Sequence, residues 1–244
     1  MRKPVATLSL LAIALTAGSA HAADVIYQEP APAPIAVEPA ASAFYIAGRI
    51  GAAFPRDTEF GVLGTTVVND YESVGLNGSI AFGGDLGVFG FPLRAEIEGG
   101  YTSASIDNHT VVGIGTLGGD AAFGSTRTIY GLVNAYVDFG DGPLKPYVGG
   151  GIGAAHVDFR NHGVVVPAGI GLPVGPLTAM DDSGTGFAWQ VGAGVSYDLT
   201  SNLTAELGYR YFNVENVGLT AADGTGSDVD VRSHQVNLGL RVSF

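Results

Sequence analysis

Cysteine is absent from the sequence, and charged residues make up only 14% of it. Without cysteine the chain cannot form disulfides, thiolate metal sites or cysteine nucleophiles. Beyond the N-terminal region, no stretch holds the 18 or more consecutive apolar residues of a membrane helix. If such a chain crosses a membrane, it must do so as a closed barrel, in which every backbone polar group pairs within the protein.

Basic residues are also scarce, since 11 lysines and arginines stand against 23 aspartates and glutamates. Two of the basic residues lie in the signal peptide described below, so the mature chain keeps 9 basic and 23 acidic residues, a net charge of −14. Nucleic-acid binding needs lysine and arginine to neutralise phosphates. We therefore expect no nucleic-acid partner.

Residues 1–22 have the organisation of a secretory signal peptide. Arg2 and Lys3 form a charged start, residues 5–17 form an apolar segment, and Ala20-His21-Ala22 fits the small-x-small cleavage pattern. A transmembrane anchor is the less favoured alternative, because the apolar run is too short for one and a cleavage pattern follows it. The pattern predicts export and a mature chain that begins at Ala23.

Residues 23–42 are rich in proline and alanine, with prolines at positions 30, 32, 34 and 39. This composition predicts a short extended tail without a packed core. The tail is either a spacer or a remnant of export.

The last eleven residues, 234–244, alternate strictly between two kinds of side chain. A period of two predicts a strand with one apolar and one polar face. A soluble sheet covers its apolar face with another layer of the same chain, but this sequence offers no helix or second sheet for that purpose, so lipid is the predicted cover. The apolar positions are Val236, Leu238, Leu240, Val242 and Phe244, and the others are Gln235, Asn237, Gly239, Arg241 and Ser243.

Seven earlier stretches share this alternation, which gives eight predicted strands. Long connections alternate with short turns, as in outer-membrane barrels with long external loops and short periplasmic turns. Most of the strands are longer than soluble strands and suit the roughly 9–11 residues that a tilted strand needs to cross lipid. The predicted fold is an all-β, eight-stranded, antiparallel up-and-down transmembrane barrel over residues 43–244. The predicted strands are 43–53, 73–85, 93–104, 126–139, 145–158, 185–199, 203–215 and 234–244, and the predicted irregular connections are 54–72, 105–125, 160–184 and 216–229.

The fifth strand is the hardest to orient, because its run of three glycines, 149–151, erases the pattern. We predict that Tyr147, Val157 and Phe159 face outward and that His156 and Asp158 face inward. Three prolines in 160–184 argue against a further strand there despite the run Val164-Val165-Val166.

Four motifs make the chain similar to a known family. They are Phe-Tyr-Ile-Ala-Gly-Arg-Ile-Gly (44–51), Lys-Pro-Tyr-Val-Gly-Gly-Gly-Ile-Gly (145–153), Leu-Gly-Tyr-Arg-Tyr (207–211) and Leu-Gly-Leu-Arg-Val-Ser-Phe (238–244). The sequence resembles the small eight-stranded outer-membrane barrels of Gram-negative bacteria, especially the 25–31 kDa-type proteins of alphaproteobacteria, which are related to the transmembrane part of OmpA and to opacity proteins. The resemblance implies that Leu238, Leu240, Val242 and Phe244 form the signal read by the barrel-assembly machinery.

Charged residues occupy the predicted inner face, where an eight-stranded barrel has room for little more than side chains. Arg49 and Arg241 lie on strands that become neighbours when the barrel closes, and acidic side chains on the third and seventh strands can pair with them. One interpretation is a charge-paired polar core; the other is a gated ion path lined by salt bridges. The predicted lumen network consists of Arg49, Arg94, Glu96, Glu98, Glu206, Arg210 and Arg241, and Asp85 is also predicted to face inward.

The sequence supports neither a catalytic site nor a metal or cofactor site. The histidines of the mature chain lack the spacing of metal ligands to one another. A hydrolase using His156 or His234 is conceivable, but no G-x-S-x-G nucleophile motif is present. We therefore predict a protein that is not an enzyme and has no cofactor.

Three functions stay open at this point. The first is a structural, surface-exposed barrel that supports the envelope and contacts a host or surface ligand through its loops. The second is a narrow porin for small solutes, and the third is a soluble lipocalin-like binding barrel. The first two imply outer-membrane lipid and lipopolysaccharide as surroundings and the barrel-assembly machinery as a partner during biogenesis, and they leave self-association open.

Overall fold

The structure is a computed structural model that describes residues 44–62, 65–70, 74–87, 92–105, 108–111, 115–118, 122–166 and 175–244. The predicted signal peptide (1–22) and tail (23–42) lie outside these residues. In the described part of the chain, no helix has the length and apolar character needed to cross a membrane. Nearly all of the described residues lie in β-strands.

Eight antiparallel strands close into a barrel, as predicted. Each strand pairs with its neighbour along the chain, and the ring closes where the first strand pairs with the last over the register Tyr45↔Ser243 to Pro55↔Ser233. The eight are β1 (Phe44–Pro55), β4 (Gly75–Asp85), β5 (Leu93–Ser105), β8 (Ala122–Asp138), β9 (Leu144–Val166), β10 (Gly175–Asp198), β11 (Leu203–Thr220) and β12 (Gly226–Ser243).

The outer wall is apolar, which confirms the predicted orientation of seven of the eight strands. Ile50, Leu76 and Ile80 are 71%, 71% and 70% exposed. Leu238 and Leu240 are exposed as well, so the apolar face of β12 points away from the lumen and the lipocalin-like alternative is wrong. The free energy falls when large apolar side chains leave water. For an outward-facing belt of this kind, lipid provides the apolar environment.

The prediction for the fifth strand, β9, was wrong. Val157 and Phe159 are fully buried and Tyr147 is 8% exposed, so these three side chains face inward, while His156 is exposed on the outer wall. The prediction assumed that apolar side chains of a membrane barrel face lipid. Around Val157 and Phe159, in the external half of this barrel, the interior is itself apolar, so side-chain polarity does not reveal the orientation there. At the other end, the Tyr147 ring faces inward against the guanidinium of Arg94.

This apolar interior is formed by the strands β8 to β12. It is a buried cluster of Tyr130, Leu132, Ala155, Val157, Phe159, Met180, Ala188, Phe212, Val214, Val217, Leu219, Ala221 and Val229. β11 has a bulge between Val214 and Val217, with Asn216 at a φ of 54°. The bulge shifts the alternation of the strand, so that the apolar side chains after it also face inward.

The external ends of the strands are longer than predicted. β9 and β10 contain 23 and 24 residues, and their pairing continues to Val166↔Gly175. Val164-Val165-Val166 therefore lies within a strand, and Pro176 pairs with Val165 near the strand end. Likewise, β11 and β12 pair as far as Thr220↔Gly226, inside the stretch 216–229 that we predicted to be irregular.

The connections 54–72 and 105–125 were also predicted to be irregular, and they contain four short strands. These are β2 (Thr58–Val62), β3 (Thr65–Asp70), β6 (Asn108–Val111) and β7 (Gly115–Gly118), which form a second antiparallel sheet in the order β2-β3-β6-β7. The backbone N–H of Arg56 donates to the carbonyl of Arg232 at 2.8 Å and ties the start of this sheet to β12.

Candidate functional site

The carboxylate of Glu98 on β5, which is 1% exposed, accepts several hydrogen bonds inside the barrel. Arg210 donates to it at 2.6 Å, and Asn134 donates at 2.7 Å. Tyr130 and Gln190 contribute further hydrogen bonds, each at 3.3 Å. These five side chains face inward from four strands, with Tyr130 and Asn134 both on β8, so the bonds join β5, β8, β10 and β11 across the lumen.

A second group of ion pairs lies around Glu96 and Glu206. Arg49 binds both oxygens of Glu96 at 2.9 Å and reaches Glu206 at 3.2 Å. Arg241 and Arg94 approach the other oxygen of Glu206 at 3.4 Å and 3.8 Å. Arg49 and Arg241 thus meet through a shared carboxylate. Two-pronged guanidinium–carboxylate pairs such as Arg49–Glu96 have a defined geometry as well as a strong attraction.

Aromatic rings enclose the charges toward the periplasmic end. Arg94 lies 4.4 Å from the ring centre of Tyr136 and 5.1 Å from that of Tyr147, and Arg241 lies 5.2 Å from that of Tyr45. Arg94 also binds Asp138 at 2.8 Å. The four lumen arginines are thereby balanced by three glutamates and this aspartate, so the layer is close to neutral and can exclude water without leaving an uncompensated charge.

The structure brings together all seven residues of the predicted lumen network and adds several that the prediction left out. Asp85 is not among them, because it is exposed at the periplasmic mouth, beside a vestibule of about 650 Å³. The alternation of each strand could have indicated the added residues, since all of them have inward parity. The added residues are Tyr45, Tyr130, Asn134, Asp138, Gln190 and Gln235.

The glycine run of β9 makes room for this network. A Cβ at Gly151 would collide with the side chain of Asn134 and lie 2.8 Å from the carbonyl of Val133, and a Cβ at Gly149 would overlap the ring of Tyr136. The outward-facing Gly131 has open space around it. The glycines that hide the strand pattern in the sequence are therefore the positions where side chains from β8 cross β9.

A ring of neutral polar side chains lies on the external side of the charged layer. Thr102 on β5 lies opposite Asn77 on β4, and both Asn77 and Asn237 on β12 lie opposite Gly51 on β1. All three polar side chains belong to residues that are at least nine-tenths buried. Each has a side-chain polar atom without a hydrogen-bond partner among the described residues. Cavities of about 30 Å³ beside Asn237 and about 20 Å³ beside Thr102 are large enough for one or two water molecules, which buried polar atoms usually bind.

The two histidines considered for hydrolase chemistry lie on the outer wall. His156 contacts Thr185 at 3.2 Å, and His234 contacts the hydroxyl of Tyr209 at 2.6 Å. Neither contact provides a nucleophile backed by an acid. Among the described residues, no three His, Cys, Asp or Glu side chains are grouped so as to hold a metal ion.

The residues of the predicted assembly signal form the outer face of the closing strand. Leu238, Leu240, Val242 and Phe244 are all at least 50% exposed. The N–H of Phe244 donates to the carbonyl of Phe44 at 3.0 Å, and its ring lies 6.5 Å from that of Phe82, which stacks on Phe44. The last residue therefore belongs to an aromatic cluster at the periplasmic rim.

A closed antiparallel barrel with an apolar belt, short turns at one end and a charge-balanced lumen defines an outer-membrane barrel protein. Residues 10–244 match the family model described as the outer membrane protein beta-barrel domain, and the chain belongs to that family. It is located in the outer membrane of a Gram-negative cell.

The chain is similar to several curated proteins, one of which is named as an outer membrane protein. An uncharacterized protein of Brucella abortus is 29% identical over an alignment of 272 residues that covers 93% of each chain. The outer membrane protein PagN of Salmonella typhimurium is 30% identical over 121 residues, 46% of this chain and 48% of PagN. A protein of Rickettsia conorii with the name "Putative adhesin RC1281" is 28% identical over 116 residues, 45% of each chain.

Solved structures include similar barrels. Neisserial surface protein A aligns over 82% of this chain and 97% of its own, with 21% identity and a TM-score of 0.49. OprG of Pseudomonas aeruginosa aligns over 84% of this chain and 97% of its own, with 15% identity and a TM-score of 0.47.

Proposed function

We propose that this protein is a closed, non-enzymatic barrel that supports the envelope and presents its external hairpins as an adhesive surface. The observation that carries the proposal is the length of the β9–β10 hairpin. A strand needs about 9–11 residues to cross the hydrocarbon, and β9 and β10 have 23 and 24. The excess extends from the external end, where a protein can contact another cell.

The apolar cluster supports this proposal, because it packs the inner faces of the extended strands against one another. A surface held by a packed core loses little conformational entropy when it binds a partner. The name of the Rickettsia relative is consistent with adhesion. The charge-balanced layer and the apolar cluster both fill the lumen, which favours a closed barrel over the narrow porin.

Cell attachment tests the adhesive role. We expect Escherichia coli cells that display this protein to attach to host-cell monolayers or immobilised extracellular-matrix proteins more strongly than cells with an empty vector. Replacing residues 165–176 by a two-residue turn removes the tip of the hairpin beyond the buried cluster and should reduce attachment to the vector level. The control is Asp141→Asn in the periplasmic turn. Attachment that is absent from the start, or unchanged by the shortened hairpin, would rule out adhesion through this hairpin.

We also propose that the exposed face of β12 is the signal for barrel assembly. Its alternating apolar side chains end on Phe244, and they remain accessible until lipid surrounds them. We expect Phe244→Ser to reduce the amount of protein in the outer membrane by about tenfold, because an accessible aromatic anchor often contributes more than 1 kcal/mol to recognition. Refolding of the same purified variant into detergent should be nearly normal. An equal loss in both measurements would instead assign Phe244 to barrel stability alone.

A further inference from the structure

The outer wall of β10, β11, β12 and β1 shows where lipid ends on the external side. On β12 the outward side chains change from Leu238 and Val236 to His234, and then to Arg232 and Asp230. The short turns lie at the opposite end of the barrel, so this boundary belongs to the external leaflet. The same change occurs on β11, from Leu207 through Tyr209 and Tyr211 to Asn213 and Glu215.

Aromatic side chains form a continuous shelf at this boundary. The shelf consists of Phe54, Trp189, Tyr209, Tyr211 and His234. The Trp189 and Tyr211 rings are 5.6 Å apart, and the Tyr211 and His234 rings are 5.2 Å apart. Phe54 lies directly opposite His234 in the β1–β12 register. Rings of this kind favour the interface between acyl chains and headgroups.

Two arginines lie directly above the shelf. The backbone hydrogen bond from Arg56, the residue just after β1, to Arg232 on β12 places them opposite each other, and both residues are exposed. The alternation that puts Phe54 and His234 on the outer wall puts these two residues there as well. Like charges in opposed positions destabilise a sheet unless an anion lies between them.

The described acidic groups nearby form an ion pair with Arg232 but none with Arg56. Asp230 binds Arg232 at 2.7 Å with one oxygen, and its other oxygen accepts the N–H of Asn216 at 3.1 Å. Arg56 makes no ion pair with any residue that the structure describes. Asp57 and Glu59 follow Arg56 in the chain and are exposed.

Asn213 provides a buried acceptor in the same row. It lies in register with both Arg232 and Trp189 and is 3% exposed. Its amide N–H donates to Glu215 at 3.1 Å, and the indole N–H of Trp189 donates to the same carboxylate oxygen at 2.7 Å. The side-chain oxygen of Asn213 has no partner among the described residues and can accept a hydroxyl.

We propose that this shelf and the two arginines bind the phosphorylated sugar headgroup of a glycolipid in the outer leaflet, namely lipopolysaccharide. The phosphate lies between Arg56 and Arg232, whose guanidinium groups suit phosphate oxygens. A sugar hydroxyl donates to Asn213, and the acyl chains descend along the apolar wall below the rings. A free phosphate would gain only the contacts to the arginines.

Trp189 makes the site directly observable, because it is the one tryptophan of the chain. The refolded full chain in a neutral detergent is titrated with bisphosphorylated lipid A, dephosphorylated lipid A or inorganic phosphate, and tryptophan fluorescence is recorded. We expect a saturable change with bisphosphorylated lipid A that is much weaker with the other two ligands.

The double variant R56Q/R232Q should raise the Kd for bisphosphorylated lipid A by about tenfold or more, since two charge-assisted contacts are lost. The matched control is R127Q/R160Q, which removes two exposed arginines from β8 and β9 at the same end of the barrel. Heat-modifiable migration on gels verifies that each variant is folded. An equal response to dephosphorylated lipid A, a response to inorganic phosphate of the same affinity, or an unchanged Kd in R56Q/R232Q would overturn the proposal.

Discussion

Replacing Glu98 with glutamine is expected to destabilise the barrel by about 3–5 kcal/mol, because it leaves buried arginine charge without its counter-ion. The Glu98 side chain is fully buried, and it pairs with Arg210 at 2.6 Å and lies 4.0 Å from Arg49. At roughly 2–4 °C per kcal/mol for a domain of this size, the melting temperature should fall by about 6–20 °C. The measurement is thermal unfolding of the detergent-folded protein, followed by the loss of heat-modifiable migration.

Two further variants separate the charge effect from a general loss of packing. Asp158→Asn breaks the exposed Arg160–Asp158 pair and should cost less than about 1 kcal/mol. E98Q combined with Arg210→Met removes both members of the buried pair and should recover part of the lost stability. A melting temperature for E98Q that equals the wild-type value would show that the ion pair does not hold the interior together.

The same variant distinguishes a charge-paired core from a gated ion path. If the network closes the lumen, planar bilayers with the wild-type protein should show few conductance steps. In E98Q the side chain of Arg210 loses its carboxylate partner. Conductance steps should become more frequent in this variant only if the apolar cluster on the external side of Arg210 also opens. Frequent, well-defined steps in the wild-type protein would favour the porin.

Replacing Phe159 with alanine is expected to destabilise the external half by about 3–5 kcal/mol, since a buried phenylalanine loses its transfer free energy and leaves a cavity. Phe159 is fully buried in the apolar cluster and packs edge-on against His162 with ring centres 4.9 Å apart. The next residue, Arg160, is exposed and should become a faster trypsin site as the hairpin opens locally. Denaturant unfolding and limited trypsin digestion measure the two effects.

Val165→Ala is the control for this substitution. Val165 lies on the same strand, nearer the tip, and is 39% exposed, so its truncation should change stability by less than about 1 kcal/mol. If F159A and V165A are digested at the same rate, the cluster does not hold the hairpin closed.

The orientation of most strands could be predicted because alternation is a local property. A residue and its second neighbour share a face whatever the rest of the chain does. The outward positions of Ile50, Ile80 and Leu238, and the inward positions of Arg49, Glu98 and Arg210, follow from this rule together with the polarity of each face. The rule does not specify which inward residues meet, because Glu98 and Arg210 are 112 residues apart.

The external half was beyond prediction for a physical reason. Val157 and Phe159 were predicted to face lipid, but they are buried inside the barrel. The sequence pattern does not indicate whether a residue lies within the membrane or beyond its external surface. The strands of the second sheet are only four to six residues long, too short for a periodicity to stand out from a polar connection.

The sequence alone determined that this chain is an eight-stranded outer-membrane barrel with an apolar wall and a charged lumen, since these properties depend on alternation, turn spacing and composition. Tertiary structure decided how Arg49, Arg94 and Arg241 share Glu206, and where the lumen changes from polar to apolar. It also placed Arg56 opposite Arg232, from the two ends of the chain. Those arrangements depend on the closure of the ring and on strand register, which no local pattern records.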